Sequence, residues 1–140
     1  MNDSDNAAID NVCRELSTAL QGTLTWKWDR RFETVLAEFG VARKDEIRAI
    51  LEQNLGAVWE SANVGNAPDI VGAIDDRFGG LRPGQIIFTS DPKLDALIFC
   101  TWWPWGNGQD ISIRVGPSYK NISESERAKN LQKFKLWFGV

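Results

Sequence analysis

The sequence of 140 residues contains no histidine. Histidine is the commonest general acid or base near neutral pH and the commonest side-chain ligand of transition metals. Its absence excludes catalytic triads that contain histidine, and it removes the usual group that activates a serine or cysteine nucleophile. The sequence therefore favours binding over catalysis, and we predict no catalytic residue.

Cysteine is also scarce. The two cysteines, Cys13 and Cys100, are far apart in the sequence, and each stands among apolar neighbours. This setting favours two buried thiols over a disulfide or a metal-ligating pair. We accordingly predict no metal site and no cofactor.

The sequence lacks both a long apolar segment and a basic N-terminal segment. No apolar run approaches the roughly 20 residues that a membrane-spanning helix requires. The N-terminal residues MNDSDNAAID are polar and acidic, whereas a secretory signal begins with basic residues and continues with an apolar run. These observations predict a cytoplasmic protein that does not associate with membranes.

Basic residues are in the minority and are distributed unevenly. The formal net charge is −3. Residues 1–80 contain 8 Lys and Arg against 14 Asp and Glu, a balance of −6, whereas residues 81–140 contain 8 against 5, a balance of +3. Because phosphate contacts require basic residues, nucleic acid is a disfavoured partner. The acidic part suits a partner protein of basic character, although many charged surfaces only face solvent.

Apolar residues recur with helical spacing in most of the chain. Ser4 or Asp5 is placed to cap the first helix, and Ser123 with Glu126 forms an S-x-x-E capping box before the last. Gly56 interrupts the third segment and could bend or divide it. The predicted helices are residues 5–21, a segment from Asp29 to Gly40, residues 44–62, a segment from Pro68 to Gly79, and residues 124–138.

The segment TLTWKWD, residues 23–29, fits two patterns. Its apolar residues alternate as in a strand, which predicts a short extended piece at 23–28. Trp28 also begins a series with helical spacing that continues through Phe32, Leu36 and Phe39. We therefore place a helix after Asp29.

From residue 84 onwards the apolar period changes to two, which is typical of strands. The predicted strands are residues 85–90, 95–103 and 109–115, and the links between them are short enough for antiparallel hairpins. The predicted fold is one α+β domain spanning residues 1–140. Its mostly helical N-terminal half packs on a three-stranded antiparallel β-meander, which a C-terminal helix closes.

Seven tryptophans are many for this length, and three of them stand in the stretch CTWWPWGNG, residues 100–108. Trp102 and Trp103 are neighbours in a strand and must point to opposite faces. Pro104 ends the strand, and Trp105 lies in the turn. Three indoles are hard to bury together here, so we expect at least one to contact a partner. The predicted binding residues are Trp102, Trp103, Trp105, Asn107 and Arg114, whereas Trp26, Trp28, Trp59 and Trp137 are predicted to be core.

The favoured function is that of a small acidic protein-binding protein, such as an immunity protein or antitoxin that blocks a toxin, or a secretion chaperone. One alternative is an enzyme that uses carboxylates or a metal, which would require Asp91, Asp95 and Asp110 to converge. Another is a module that stacks a ligand or nucleic acid on the tryptophan-rich turn. The oligomeric state remains open.

Overall fold

Six antiparallel strands form the centre of the fold. A computed structural model describes the backbone of residues 3–140 and the side chains of residues 6–140. The helices are α1 (Asp3–Leu20), α2 (Lys44–Asn54), α3 (Asp69–Arg77) and α4 (Glu124–Phe138). The strands are β1 (Lys27–Asp29), β2 (Thr34–Gly40), β3 (Ala57–Trp59), β4 (Ile86–Thr89), β5 (Ala96–Pro104) and β6 (Asp110–Tyr119).

The sheet is larger than the sequence predicts. Its strand order is β1-β2-β6-β5-β4-β3, and every neighbouring pair is antiparallel. The predicted meander is present as β4, β5 and β6, but it is only part of the sheet. Three further strands come from the half of the chain that was predicted to be mostly helical. The α+β class therefore holds, whereas the three-stranded sheet is wrong.

The helix predicted after Asp29 is instead a turn followed by strand β2, whereas the extended piece predicted at 23–28 overlaps β1 at Lys27 and Trp28. Strand β2 pairs with β6 in a register that sets Phe39 opposite Ile111. Val35 and Phe39 point to one face of the sheet, while Leu36 points to the other, and all three are buried. Burial on both faces gives a continuous apolar pattern that spacing alone cannot distinguish from a helix. Pairing with β6 makes this segment a strand, because β2 supplies hydrogen-bond partners for the backbone N–H and C=O groups along that edge of β6.

The helix predicted over residues 44–62 ends early. Helix α2 stops at Asn54, and Gly56 separates it from β3, which pairs with β4. Trp59 lies in this strand, and its indole Nε1 donates a hydrogen bond to Thr89 Oγ1 at 3.1 Å. The glycine that was predicted to bend the helix therefore lies between a helix and an edge strand.

The other three helices agree with the sequence patterns. Helices α1 and α3 lie where the apolar spacing places them, and α4 begins after Ser123, whose Oγ accepts a hydrogen bond from the Glu126 N–H. The proposed cap of α1 by Ser4 or Asp5 falls outside the described side chains. No helix within residues 3–140 has the length and apolar character needed to span a membrane.

The sheet is covered on both faces. Helices α1, α2 and α4 cover one face, which we call the three-helix face, and the core there includes Leu16, Leu51 and Phe134. Helix α3 covers part of the opposite face, the α3 face, where Ile74 packs with Phe99 in a second core. Trp26, Trp28, Trp59 and Trp137 pack against these cores as partly buried side chains, so they lie at the edge of the core rather than within it.

Gly116 in β6 provides a test of the packing between β2 and β5. A Cβ at this position would lie 2.9 Å from Thr34 Cγ2 and 3.1 Å from Phe99 Cζ, and both neighbours are fully buried. We expect Gly116→Ala to lower the free energy of unfolding by about 1–3 kcal/mol through overpacking. Chemical denaturation would measure the change.

Gly72→Ala is the matched control, because it makes the same change in helix α3, where a Cβ would meet no atom within 4 Å. It should raise the free energy of unfolding by about 0.5–1 kcal/mol. Equal stability of the two variants would show that Thr34 and Phe99 leave room at Gly116.

Candidate functional site

The turn between β5 and β6 is held in place by its own hydrogen bonds. The Trp105 N–H donates to the Asp110 carbonyl at 2.9 Å, and the Gly108 N–H donates to the Trp105 carbonyl at 3.2 Å. Asn107 Oδ1 accepts from the N–H groups of Gln109 and Asp110, and its Nδ2 donates to Asp110 Oδ2. Asn107 therefore shapes the turn that presents Trp105.

The first of the three clustered tryptophans is a core residue. Trp102 is only 5% exposed and points to the three-helix face. Its ring meets Phe39 edge to face at a centroid distance of 5.5 Å, and it meets Phe88 at 6.1 Å. These contacts leave only a small edge of Trp102 accessible to a partner.

Trp103 points to the α3 face, and Trp105 follows it in the turn at the end of β5. Trp103 is half-buried, pairs with Ser112 across the strands and packs against Phe78 at a centroid distance of 5.8 Å. Trp105 is 43% exposed, and its Nε1 donates a hydrogen bond to Ser112 Oγ. Ser112 therefore fixes the Trp105 indole, and Trp105 is the most accessible of the predicted binding tryptophans.

Arg114 has a structural partner. Its Nε donates to Asp29 Oδ2 at 2.8 Å, and both side chains are largely shielded from solvent. Burial alone would raise the pKa of Asp29, but the hydrogen bond and charge of Arg114 and the N–H groups of Phe32 and Arg31 hold it below its usual value. Arg114 therefore anchors β1 to the sheet.

A cleft of about 400 Å³ opens beside the turn. Trp105 forms one side of this cleft. Val41 forms another side, and it lies in the short turn that precedes α2. The Val41 N–H donates to the Gln109 carbonyl at 2.7 Å, which ties α2 to the turn. The remaining lining residues are Lys44, Asp45, Arg48, Glu60, Gly84, Ile86, Trp102, Pro104, Gly108, Asp110 and Ile111.

Val41 was not among the predicted site residues. It is 38% exposed, and it lies in a short 3-10 turn before α2. The only indication of its exposure in the sequence is that this apolar residue lies outside the helical stripe that includes Ile47 and Leu51. Proximity to Trp105 depends on the pairing of β2 with β6, which the sequence analysis did not predict.

The carboxylates of the proposed enzyme alternative do not converge. Asp91 and Asp95 lie in the β4–β5 hairpin, whereas Asp110 begins β6 at the far end of β5. The nine residues of β5 separate the two ends by about 26 Å. Among the described side chains, no group of three or more His, Cys, Asp or Glu residues is arranged to hold a metal ion.

Both thiols are buried and free, as predicted. Burial, with a smaller contribution from the negative charge of Asp10, raises the pKa of Cys13 to about 12. Burial also raises the pKa of Cys100. Neither cysteine is therefore a thiolate near neutral pH, and neither is available as a nucleophile.

The charge imbalance along the sequence is partly neutralised in the fold. Three ion pairs join an acid of the first part to a base of the second: Asp10 with Lys133, Asp29 with Arg114, and Glu33 with Arg127. Helix α4 supplies two of these bases. These pairs match three of the 14 acids of residues 1–80 with bases of the second part.

In comparisons with known proteins, no protein-family model, curated protein or solved structure matches the chain.

Proposed function

We propose that the chain is a protein-binding protein and that the cleft between Trp105 and Val41 is its contact surface. One observation carries the proposal. Among residues 6–140, three large apolar side chains are exposed, namely Val41, Trp105 and Leu136, and two of them border this one cleft. Exposed apolar groups gathered around a concavity are typical of binding surfaces.

The orientation of Trp105 supports the same function. The indole is fixed by Ser112, and its backbone is fixed by the turn that Asn107 stabilises. A side chain already held in place loses little conformational entropy when a partner binds. Tryptophan is also among the residues that most often dominate the energy of protein interfaces.

The charges of the cleft favour a partner of basic character. Three acids line it, namely Asp45, Glu60 and Asp110, against the bases Lys44 and Arg48. Arg48 Nε is within 2.6 Å of Glu52 Oε1, so its charge is already matched within α2. A basic partner would gain from the remaining acids both in attraction and in orientation.

Inhibition of a basic toxin by an immunity protein or antitoxin in the cytoplasm is the specific form of this proposal, and a secretion chaperone is its alternative. Small size and acidity support both. An enzyme is less well supported, because the carboxylates on which it depended lie at opposite ends of the sheet.

Trp105→Ala should abolish partner capture. Tagged wild-type protein, Trp105→Ala and the matched control Leu136→Ala would be incubated with extract from the source cells, and captured proteins identified by mass spectrometry. Leu136 is 76% exposed but lies outside the cleft. With the purified partner, we expect Trp105→Ala to raise Kd at least about 30-fold. A partner that binds all three proteins equally would exclude Trp105 from the interface.

The stability of two tryptophan variants should differ. Trp105→Ala loses one hydrogen bond and the packing of a ring that is 43% exposed, so we expect the free energy of unfolding to fall by about 1–2 kcal/mol. Trp102→Ala removes a buried ring and should cost about 3–5 kcal/mol. Thermal and urea denaturation would measure both. Equal losses would mean that Trp105 is a core residue, and its effect on binding would then reflect folding.

A further inference from the structure

The β1–β2 connection, residues 30–33, folds onto the α3 face. The Phe32 ring stacks on Phe78, just beyond the end of α3, with centroids 4.5 Å apart and planes inclined by 29°. Glu33 has a φ of 53°, a left-handed conformation that is unfavourable for a residue other than glycine, and it forms an ion pair with Arg127. The connection is therefore held by contacts at both Phe32 and Glu33.

Three guanidinium groups lie over the rings that meet at this place. The Arg31 guanidinium is 4.9 Å from the Phe32 centroid, and the Arg114 guanidinium is 5.3 Å from the same ring. Arg77 lies over Phe78 at 5.7 Å and over Phe99 at 5.8 Å. We call Arg31, Phe32, Arg77, Phe78 and Arg114 the arginine–phenylalanine surface.

Among the described side chains, two of these arginines form no ion pair. Arg114 pairs with Asp29, and the nearby Arg127 pairs with Glu33. Arg31 and Arg77 have no carboxylate oxygen within 4.0 Å among the described side chains. Burial lowers the pKa of Arg77, with Glu33 opposing this effect and Arg127 adding to it. The charge of Arg77 is thus partly desolvated, and an incoming anion would offset that cost.

We propose that the arginine–phenylalanine surface binds a short acidic segment of a partner protein, through separate carboxylates that pair with Arg31 and with Arg77. Guanidinium groups are planar and match carboxylates with two parallel hydrogen bonds, and stacking on rings fixes their orientation in advance. The surface shares no residue with the lining of the Trp105 cleft. It is therefore a second binding site with the opposite charge preference.

An acidic peptide fits this surface better than a nucleic acid does. The formal net charge of the chain is −3, which repels a long polyanion. Nucleic-acid affinity grows with the number of phosphates neutralised, and only Arg31 and Arg77 of the surface lack a carboxylate partner. Two such arginines are enough to pair with a short segment that carries a few carboxylates.

The test uses a fluorescent peptide of about eight residues, rich in glutamate, whose binding is followed by anisotropy at low salt because charge attraction is strongest there. We expect Arg31→Gln/Arg77→Gln to raise Kd about tenfold relative to wild type. The matched control is Arg14→Gln/Lys93→Gln, which removes the same charge from two exposed side chains that belong to neither binding surface. The control should bind as wild type does.

Each contrary result has a definite meaning. An equal loss in both double variants, or peptide binding too weak to measure in wild type, would overturn the proposal. Tighter binding of a single-stranded oligonucleotide of equal charge would also overturn it, in favour of a nucleic-acid surface. Trp105→Ala should retain peptide binding, so a failure of the Trp105 proposal can be distinguished from a failure of this one.

Discussion

Strand β5 is buried on both of its faces for most of its length, and the rest of the fold follows from the need to cover it. Seven consecutive residues, from Ala96 to Trp102, are buried. Pairing with β4 and β6 satisfies the backbone, and helices on both faces remove the side chains from water. Strand β5 is only partly buried from Trp103 onwards, and Trp105, which follows the strand, is exposed. The candidate contact surface is thus the end of the core strand.

Sequence patterns identified the elements whose signals are local. Helix α4 has a serine cap and a clear apolar stripe, and its bounds agree with the prediction. The three strands from Ile86 to Tyr119 alternate or follow short turns. Strands β1, β2 and β3 have weaker local signals, because Leu36 is buried on one face and Val35 and Phe39 on the other. Pairing with β6 distinguishes β2 from a helix, and pairing with β4 distinguishes β3, whereas the alternation in TLTWKWD already indicated an extended piece that overlaps β1.

The proposed binding surfaces likewise contain residues with a local sequence signal and residues that only strand pairing brings into place. The exposure of Trp105 could be anticipated, because successive strand residues alternate and the turn leaves one indole without a core. The place of Val41 beside Trp105 could not be anticipated, since it depends on the pairing of β2 with β6. Charge summed along the sequence was misleading in another way. Arg31 and Arg77 both belong to the acidic part of the chain, and the rings over which they lie meet because Phe32 stacks on Phe78.

The outermost strands of the sheet, β1 and β3, contain only three residues each. A strand of that length offers few free backbone N–H and C=O groups along its open side, and short edges are one way in which proteins avoid joining their sheets to one another. A partner that extended this sheet by adding a strand would gain few main-chain hydrogen bonds. A partner of the kind proposed would therefore be bound through side chains rather than through an added strand.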